Sequence, residues 1–406
     1  MKVLVVWRGV PVPNVASLAR IFYFLKFNRA CDVTLVAPLK SPTDTKYINE
    51  LKRYCAIEPI KVTWDFRTHK KIMLSFKNRF SKENLFSRDL NIFGSVYFPK
   101  IRKKIIELLE QVNFDLVYVD RMMLTYVLKL PRKIPILGDF VDPVLYSRFQ
   151  LYLYETKISR KFYWLLSYYS HKLFEAPKYK EIDAGIYITQ RIKDLLKPYL
   201  PKKTFIVPNG VDTEYFRPNS INIGQDYFNL VFTGDMSYPF NVYSIVYFCN
   251  NIYPLIKEKE PRVKLFIVGR SPRKEVRSLS QKYDGVIVTG EVEDIRPFLA
   301  KAHVVLAPMI VDDGGFKTKI LEAMAMGKPI VSTSIGVQGI DAIPEKNVII
   351  ADEPKVFADR VVELLRDEKL RKRMGVNARK FVEERYSWEK MTDILNNVFQ
   401  QVVEKR

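Results

Sequence analysis

Cysteine and histidine are scarce. Cys31, Cys55 and Cys249 stand far apart with no Cys-x-x-Cys, and His69, His171 and His303 have no partner at ligand spacing. A disulfide scaffold, a zinc site and imidazole-based metal catalysis are therefore not expected. Long apolar runs are also missing. No stretch reaches the roughly 18 apolar residues of a spanning helix, and the opening strand-like run meets Arg8 before it could form the core of a secretory leader. The 16 glycines and 23 prolines are scattered, without low-complexity tracts or short-period repeats. With 48% hydrophobic and 27% charged residues, the 406-residue chain reads as globular. Two or three domains follow from the length, and a cytosolic enzyme with two sizeable cores is the default expectation.

Acidic residues are few relative to basic ones, 45 against 66, for a net charge of +21. The imbalance is uneven: residues 1–200 hold 35 basic and 18 acidic side chains, the rest 31 and 27. A lysine-rich composition inherited from the whole proteome would load both halves alike. The asymmetry points to an anionic partner for the first half: a membrane surface, nucleic acid or a phosphorylated acceptor.

Buried-strand patterns open the chain at Val3–Trp7 and Cys31–Ala37, with a helical period between them, which is a βαβ start. Further strands are expected at 60–64, 114–119, 134–138, 183–189 and 204–207. Pro208-Asn209-Gly210 punctuates, and a second series follows at 228–232, 263–268, 286–289, 303–307, 329–333 and 348–351, with helices near 241–257, 294–301 and 316–326. The expected fold class is α/β, two Rossmann-like doubly wound domains facing each other. Their expected ranges are 1–205 and 206–386, with residues 387–406 forming a terminal helix.

The most informative run is Ala307 to Pro329. A strand ends at Pro308, Gly314-Gly315 permits close approach of a ligand to backbone amides, and a helix follows near Phe316 and stops at Gly327. Its N-terminus, with Lys317 and Lys319, is an anion seat suited to a diphosphate. Glu322, one turn in, is placed to accept hydrogen bonds from the vicinal hydroxyls of a ribose. The plainer alternative is an ordinary i, i+3 ion pair between Lys319 and Glu322 on a solvated face.

These residues carry a resemblance. Pro208-Asn-Gly-Val-Asp212, Phe232-Thr-Gly-Asp-Met-Ser-Tyr-Pro-Phe-Asn241, Ile267-Val-Gly-Arg270, Thr289-Gly-Glu-Val-Glu-Asp-Ile-Arg296 and Lys319-Ile-Leu-Glu-Ala-Met-Ala-Met-Gly-Lys-Pro329 together resemble the donor domain of the retaining glycosyltransferase family 4, or group 1, which has the GT-B fold. The nearest likeness is to exopolysaccharide-type sugar transferases with a Gly-x-Met-x-Tyr-x-x-Asn loop. The resemblance covers about residues 205–345. The first half matches by architecture and by Gly138-Asp-Phe-Val-Asp142.

The resemblance implies a metal-independent enzyme with no cofactor, whose donor is a nucleoside-diphosphate sugar, UDP- or GDP-linked. It places Glu322 at the ribose and Lys317 and Lys319 at the diphosphate. Arg270, Glu291 and Val292 flank the base, and Gly234 and Asp235 face the phosphates. The terminal helix is expected to cross back onto the first domain. Two departures stand out. The family's first glutamate falls at Gly314, where Asp312, Asp313 or the amides of Gly314 and Gly315 would have to substitute. The 233–241 loop also carries no basic residue.

Asp120, Asp139 and Asp142 end predicted strands of the first domain, where a doubly wound sheet places its site, and are candidates for orienting or deprotonating an acceptor hydroxyl. Asp139 and Asp142 could equally cap the following helix. Gly9 would let the backbone approach the reacting sugar, or is only a turn glycine. No spaced Asp-x-Asp stands at a strand end, so no metal ligand is assigned. Residues 66–104 and 151–174 interleave aromatic with basic side chains, which suits a membrane interface. Nucleic acid is the less favoured partner. A lipid-linked or glycan acceptor, and a cytoplasmic enzyme resting on the inner face of the cell membrane, are expected. The alternatives are an inactive scaffold that binds anionic membrane or nucleic acid, and a same-fold nucleotide-sugar epimerase.

Overall fold

The computed structural model describes residues 1–13, 16–39, 44–61, 99–131, 133–218 and 227–404. The expected interface residues 66–98 lie outside the described residues. The chain divides into two compact units. One holds Met1–Tyr187, Lys193–Val207 and Thr392–Arg406; the other holds Ile188–Ile192 and Pro208–Met391.

The first unit is built on a parallel sheet of β1 (Lys2–Val6), β2 (Asp32–Leu39), β3 (Ala56–Lys61), β4 (Leu116–Asp120), β5 (Ile136–Phe140), β6 (Ala184–Tyr187) and β7 (Lys203–Ile206). Their order is β3-β2-β1-β4-β5-β6-β7. The chain winds outward from β1 through β2 to β3, then returns to β4 on the other side of β1. The switch point therefore lies between β1 and β4. β4 and β5 are buried along their whole length, as expected of strands covered on both faces. β3 begins at Ala56, four residues earlier than the sequence pattern suggests.

The second unit repeats the plan with β8 (Phe228–Thr233), β9 (Val263–Val268), β10 (Val286–Gly290), β11 (Val304–Ala307), β12 (Ile330–Ser332) and β13 (Ile349–Ile350). The order is β10-β9-β8-β11-β12-β13, which puts the switch point between β8 and β11. The segment expected as one helix over 241–257 forms two, Pro239–Asn251 and Tyr253–Lys259. Pro254 explains the break. It has no N–H to donate, and its ring clashes with the carbonyl four residues back, so it is tolerated only in the first turn of a new helix.

The terminal helix Trp388–Glu404 begins in the second unit and contributes its residues from Thr392 onward to the first. There Phe399 sits with its ring 5.4 Å from that of Phe24 and 5.1 Å from that of Tyr118. The last turns of the chain are thus part of the first unit's aromatic core.

Candidate nucleotide-binding site and strand-end acids

The loop after β8 and the helix after β11 meet at the second unit's switch point. Gly234 has φ +153°, and a Cβ there would lie 2.8 Å from Asn241 Nδ2 and 3.0 Å from Lys319 Nζ. Gly269, after β9, has φ +152°, and a Cβ there would lie 1.7 Å from the Gly234 carbonyl oxygen. Only glycines allow both the backbone conformation and this back-to-back approach.

Asn241, in the first turn of the Pro239–Asn251 helix, ties the parts together. Its Nδ2 donates to the Asp235 carbonyl at 3.0 Å, and its Oδ1 accepts from Lys319 Nζ at 2.9 Å. Lys319 Nζ also lies 4.2 Å from the Phe232 ring centroid, a cation–π contact. The Asp235 carboxylate accepts from the Ser237 amide at 2.8 Å and from Arg270 Nε at 2.8 Å. Partial burial pushes Asp235 up, but the Ser237 hydrogen bonds and the Arg270 guanidinium outweigh it and hold the carboxyl below its ordinary value. Gly234, Asp235, Arg270 and Lys319 are therefore brought together.

Lys319 and Glu322 stand one turn apart on the helix Thr318–Ala325, both half-buried. Among the described residues neither forms an ion pair. Burial, reinforced by the neighbouring Lys317 charge, lowers Lys319 to about 7, and burial raises Glu322 to about 7. Two oppositely charged groups are held here with little solvent and without direct neutralisation. Such perturbed groups mark a functional site more often than a solvated helix face.

The remaining expected residues behave differently. Lys317 precedes the helix, which starts at Thr318 rather than Phe316. It is buried, pairs with Asp313, and donates to the Gly315 carbonyl at 3.0 Å. The Lys317 ammonium is thus engaged by its own loop. The Gly-Gly amides are likewise taken. Gly314 N–H donates to Asp312 Oδ1 and Gly315 N–H to Asp313 Oδ1, both at 2.8 Å. Asp312 also pairs with Arg191. Gly314 and Gly315 shape the loop, Gly314 with φ +70°, but their amides turn inward. Glu291 and Val292 follow β10, the edge strand. The carbonyl of Gly290, which ends β10, accepts from the Gly269 N–H at 3.1 Å, so the segment that carries them adjoins the Gly269–Gly234 contact.

In the first unit, the three expected acids separate. Asp120 ends β4 fully buried; Arg8 Nη2 lies 2.7 Å from its Oδ2, and its Oδ1 accepts from Met122 N–H at 2.8 Å. Asp139, on β5, is also interior: Arg20 Nε donates to its Oδ2 at 2.8 Å and the Tyr118 hydroxyl to the same oxygen. Both acids are committed to arginines, Arg20 buried and Arg8 half-buried, and neither is open to an acceptor. Asp142 alone is accessible, its side chain 50% exposed, with Arg8 Nη1 at 3.8 Å. It makes no capping bond to the helix Val144–Tyr154. Gly9, beside Arg8, is buried past the end of β1.

Three participants escaped sequence reading: Arg8, Asn241 and the Asp313–Lys317 lock. Asn241 alone had a signal, since it closes the Gly-x-Met-x-Tyr-x-x-Asn loop. Among the described residues no group of three His, Cys, Asp or Glu side chains gathers at metal-binding distance.

Residues 227–367 match the family model described as Glycosyl transferases group 1. Among curated relatives, an uncharacterized 44.6 kDa protein in the cps region of Klebsiella pneumoniae is 26% identical over 170 residues, covering 40% of this chain and 44% of that protein. The phosphatidylinositol N-acetylglucosaminyltransferase gpi3 subunit of Schizosaccharomyces pombe is 22% identical over 210 residues, covering 50% of this chain and 44% of that one. These matches span less than half the length of either relative. Among solved structures, a glycosyltransferase from Rickettsia africae superposes with TM-score 0.65 at 13% identity, covering 100% of this chain and 99% of that chain. HepE of Anabaena, solved with UDP and glucose, gives TM-score 0.64 at 13% identity, covering 98% and 99%.

Proposed function

We propose that this chain, a GT-B fold protein carrying a group 1 glycosyl transferase domain over residues 227–367, moves a sugar from a nucleoside-diphosphate donor to a lipid-linked or glycan acceptor. The transfer retains the anomeric configuration and uses no metal. The observation that carries this reading is the Lys319–Asn241–Gly234 cluster at the second unit's switch point, with Glu322 one turn away. The donor is a UDP- or GDP-sugar; UDP is the nucleotide in the Anabaena neighbour. A lipid acceptor is in keeping with the name of the fission yeast relative.

In this reading the bond between the anomeric carbon and the diphosphate oxygen breaks, and its electron pair stays on the diphosphate. Lys319, fixed by Asn241 in a water-poor setting, stabilises that developing charge. Arg270 is held near the same loop by Asp235. The ionised Glu322 carboxylate accepts hydrogen bonds from the ribose hydroxyls. The acceptor oxygen bonds to the anomeric carbon, and Asp142, the accessible strand-end acid of the first unit, takes its proton. The enzyme works at the inner face of the cell membrane, docked through the basic first unit. Among the described residues no helix is long and apolar enough to cross a membrane.

A panel of labelled nucleotide sugars, scored for nucleoside diphosphate release with and without a polyprenyl-phosphate sugar acceptor, tests the assignment. Release from one donor is expected, and it should fall about 100-fold or more in Lys319→Ala and about tenfold in Glu322→Ala. Unchanged release in both variants would remove the site.

A further inference from the structure

The helices Val144–Tyr154 and Ile158–Ser170, with the turn His171–Glu175, carry a feature that donor binding does not use. Ile158, Phe162, Leu166, Tyr169 and Leu173 recur every three or four residues, which makes one stripe. That stripe faces outward: Ile158 is 86% exposed, Phe162 61% and Leu173 62%. A packed helix buries its apolar stripe and exposes its polar side, and here the arrangement is reversed. The two helices hold Arg148, Arg160 and Lys161 and no acidic residue. Lys157 and Lys172 flank them, with Glu155 the one acid in the link between the two helices.

Arg121, Met122, Arg148, Glu175, Lys178 and Tyr179 are among the residues that line a cavity of about 30 Å³. Three basic side chains and one carboxylate are among its lining. Glu175 is committed: Arg121 Nη1 lies 3.1 Å and His171 Nδ1 2.6 Å from its Oε2. Arg148 donates to the Ser167 carbonyl at 3.1 Å, which anchors one helix of the hairpin to the other, and has no carboxylate at ion-pair distance among the described residues. Room for about one water admits the oxygens of a phosphoryl group at its mouth and not a sugar ring. Met122 links this niche to the strand-end cluster, because its sulfur accepts from Arg8 Nη1 at 3.4 Å.

We propose that the niche formed by Arg121, Arg148 and Lys178 receives the phosphate of an anionic lipid whose hydrocarbon region lies against the Ile158–Leu173 stripe. The proposal rests on the membrane part of the functional reading and gives it a location. An apolar stripe bordered by cations is complementary to a negatively charged bilayer, with side chains such as Ile158 and Phe162 entering the acyl boundary and the cations meeting headgroups. The cavity adds a specific contact for the headgroup phosphate.

The test is co-sedimentation of the full chain with phosphatidylcholine vesicles, with and without about 30% phosphatidylglycerol, at low salt. Binding should be at least about tenfold tighter with phosphatidylglycerol. Arg148→Gln/Lys178→Gln and, separately, Ile158→Ser/Phe162→Ser/Leu173→Ser should each weaken it about tenfold. The charge-matched control Lys52→Gln/Lys103→Gln should stay within about twofold. The serine variant changes only well-exposed positions, so its thermal unfolding should match the wild type and its result is interpretable. A niche variant that binds like the control overturns the proposal. So does a protein that ignores the anionic vesicles yet gains thermal stability from millimolar inorganic phosphate through Arg148 and Lys178, because the ligand is then a soluble phosphate. A protein that binds the vesicles through both features but releases no nucleoside diphosphate supports this inference and removes the transferase reading.

Discussion

The two units have the same winding and opposite electrostatics at their switch points. In the first, Arg8 neutralises Asp120 and Arg20 neutralises Asp139, with the acids fully enclosed. In the second, Lys319 and Glu322 are half-buried, without an ion-pair partner among the described residues, and both are drawn to about 7. A buried charge is costly unless paired. The first unit pairs each acid internally, although burial still raises Asp139 above its ordinary value and its Oδ1 has no hydrogen-bond partner among the described residues. The second leaves that cost standing, in the pattern of a surface awaiting a charged ligand. Architecture alone does not tell a structural acid from a functional one; the partner does.

The largest effect expected from this contrast is on stability. Asp139→Asn leaves Arg20 uncompensated in the interior and should cost about 3–5 kcal/mol, read from the urea midpoint. A loss below about 1 kcal/mol would show the pair to be dispensable. Its neighbour Asp142→Asn should do the reverse, lowering transfer roughly 100-fold with thermal unfolding unchanged. If both variants behave alike, the division between buried and accessible acids fails.

Glu322→Gln sharpens the other side of the comparison. The folded-state value of Glu322, about 7, lies above its ordinary 4.5. Its contribution to stability is therefore complete below pH 4.5 and is lost as pH rises through about 7. The Gln variant escapes that loss, so its melting temperature should match the wild type at pH 4.5 and exceed it by roughly 2–4 °C at pH 8. Donor turnover should fall about tenfold at pH 8. A variant less stable than the wild type at pH 8 would make Glu322 a structural group. The smallest effect on turnover is expected from Lys317→Met, although it leaves the buried Asp313 without its ammonium and so lowers stability. With its ammonium spent on Asp313 and Gly315, its loss should lower turnover only about two- to fivefold, well short of Lys319→Ala.

Most of the fold was legible because parallel strands covered on both faces read as continuous apolar runs, such as Leu116–Val119 and Val304–Ala307. The boundary at Pro208 was legible through its turn residues. The break at Ile252 was missed although Pro254 announces it, because the apolar period continues across the break. The site was legible where chemistry is local: Lys319 and Glu322 share a helix, and Gly234 sits at a strand end. It was illegible where the deciding partner is distant in sequence. Arg20 claims Asp139 across 119 positions and Asn241 holds Lys319 across 78. The partners of Lys317 and of the two glycine amides were not foreseen for a subtler reason. Asp312 and Asp313, read as possible ligand groups, satisfy them first.

The most direct test is calorimetric titration of the protein with UDP and with GDP at pH 7.5, in buffers of different ionisation heat. Burial depresses Lys319 from its ordinary 10.5 to about 7, so part of the population lacks its proton near neutral pH and regains it beside a diphosphate. One of the nucleotides should therefore bind with net proton uptake, and Lys319→Met should abolish both the uptake and most of the affinity. Binding without proton uptake, or equal binding by the Lys319→Met variant, would contradict the seat assigned to the diphosphate.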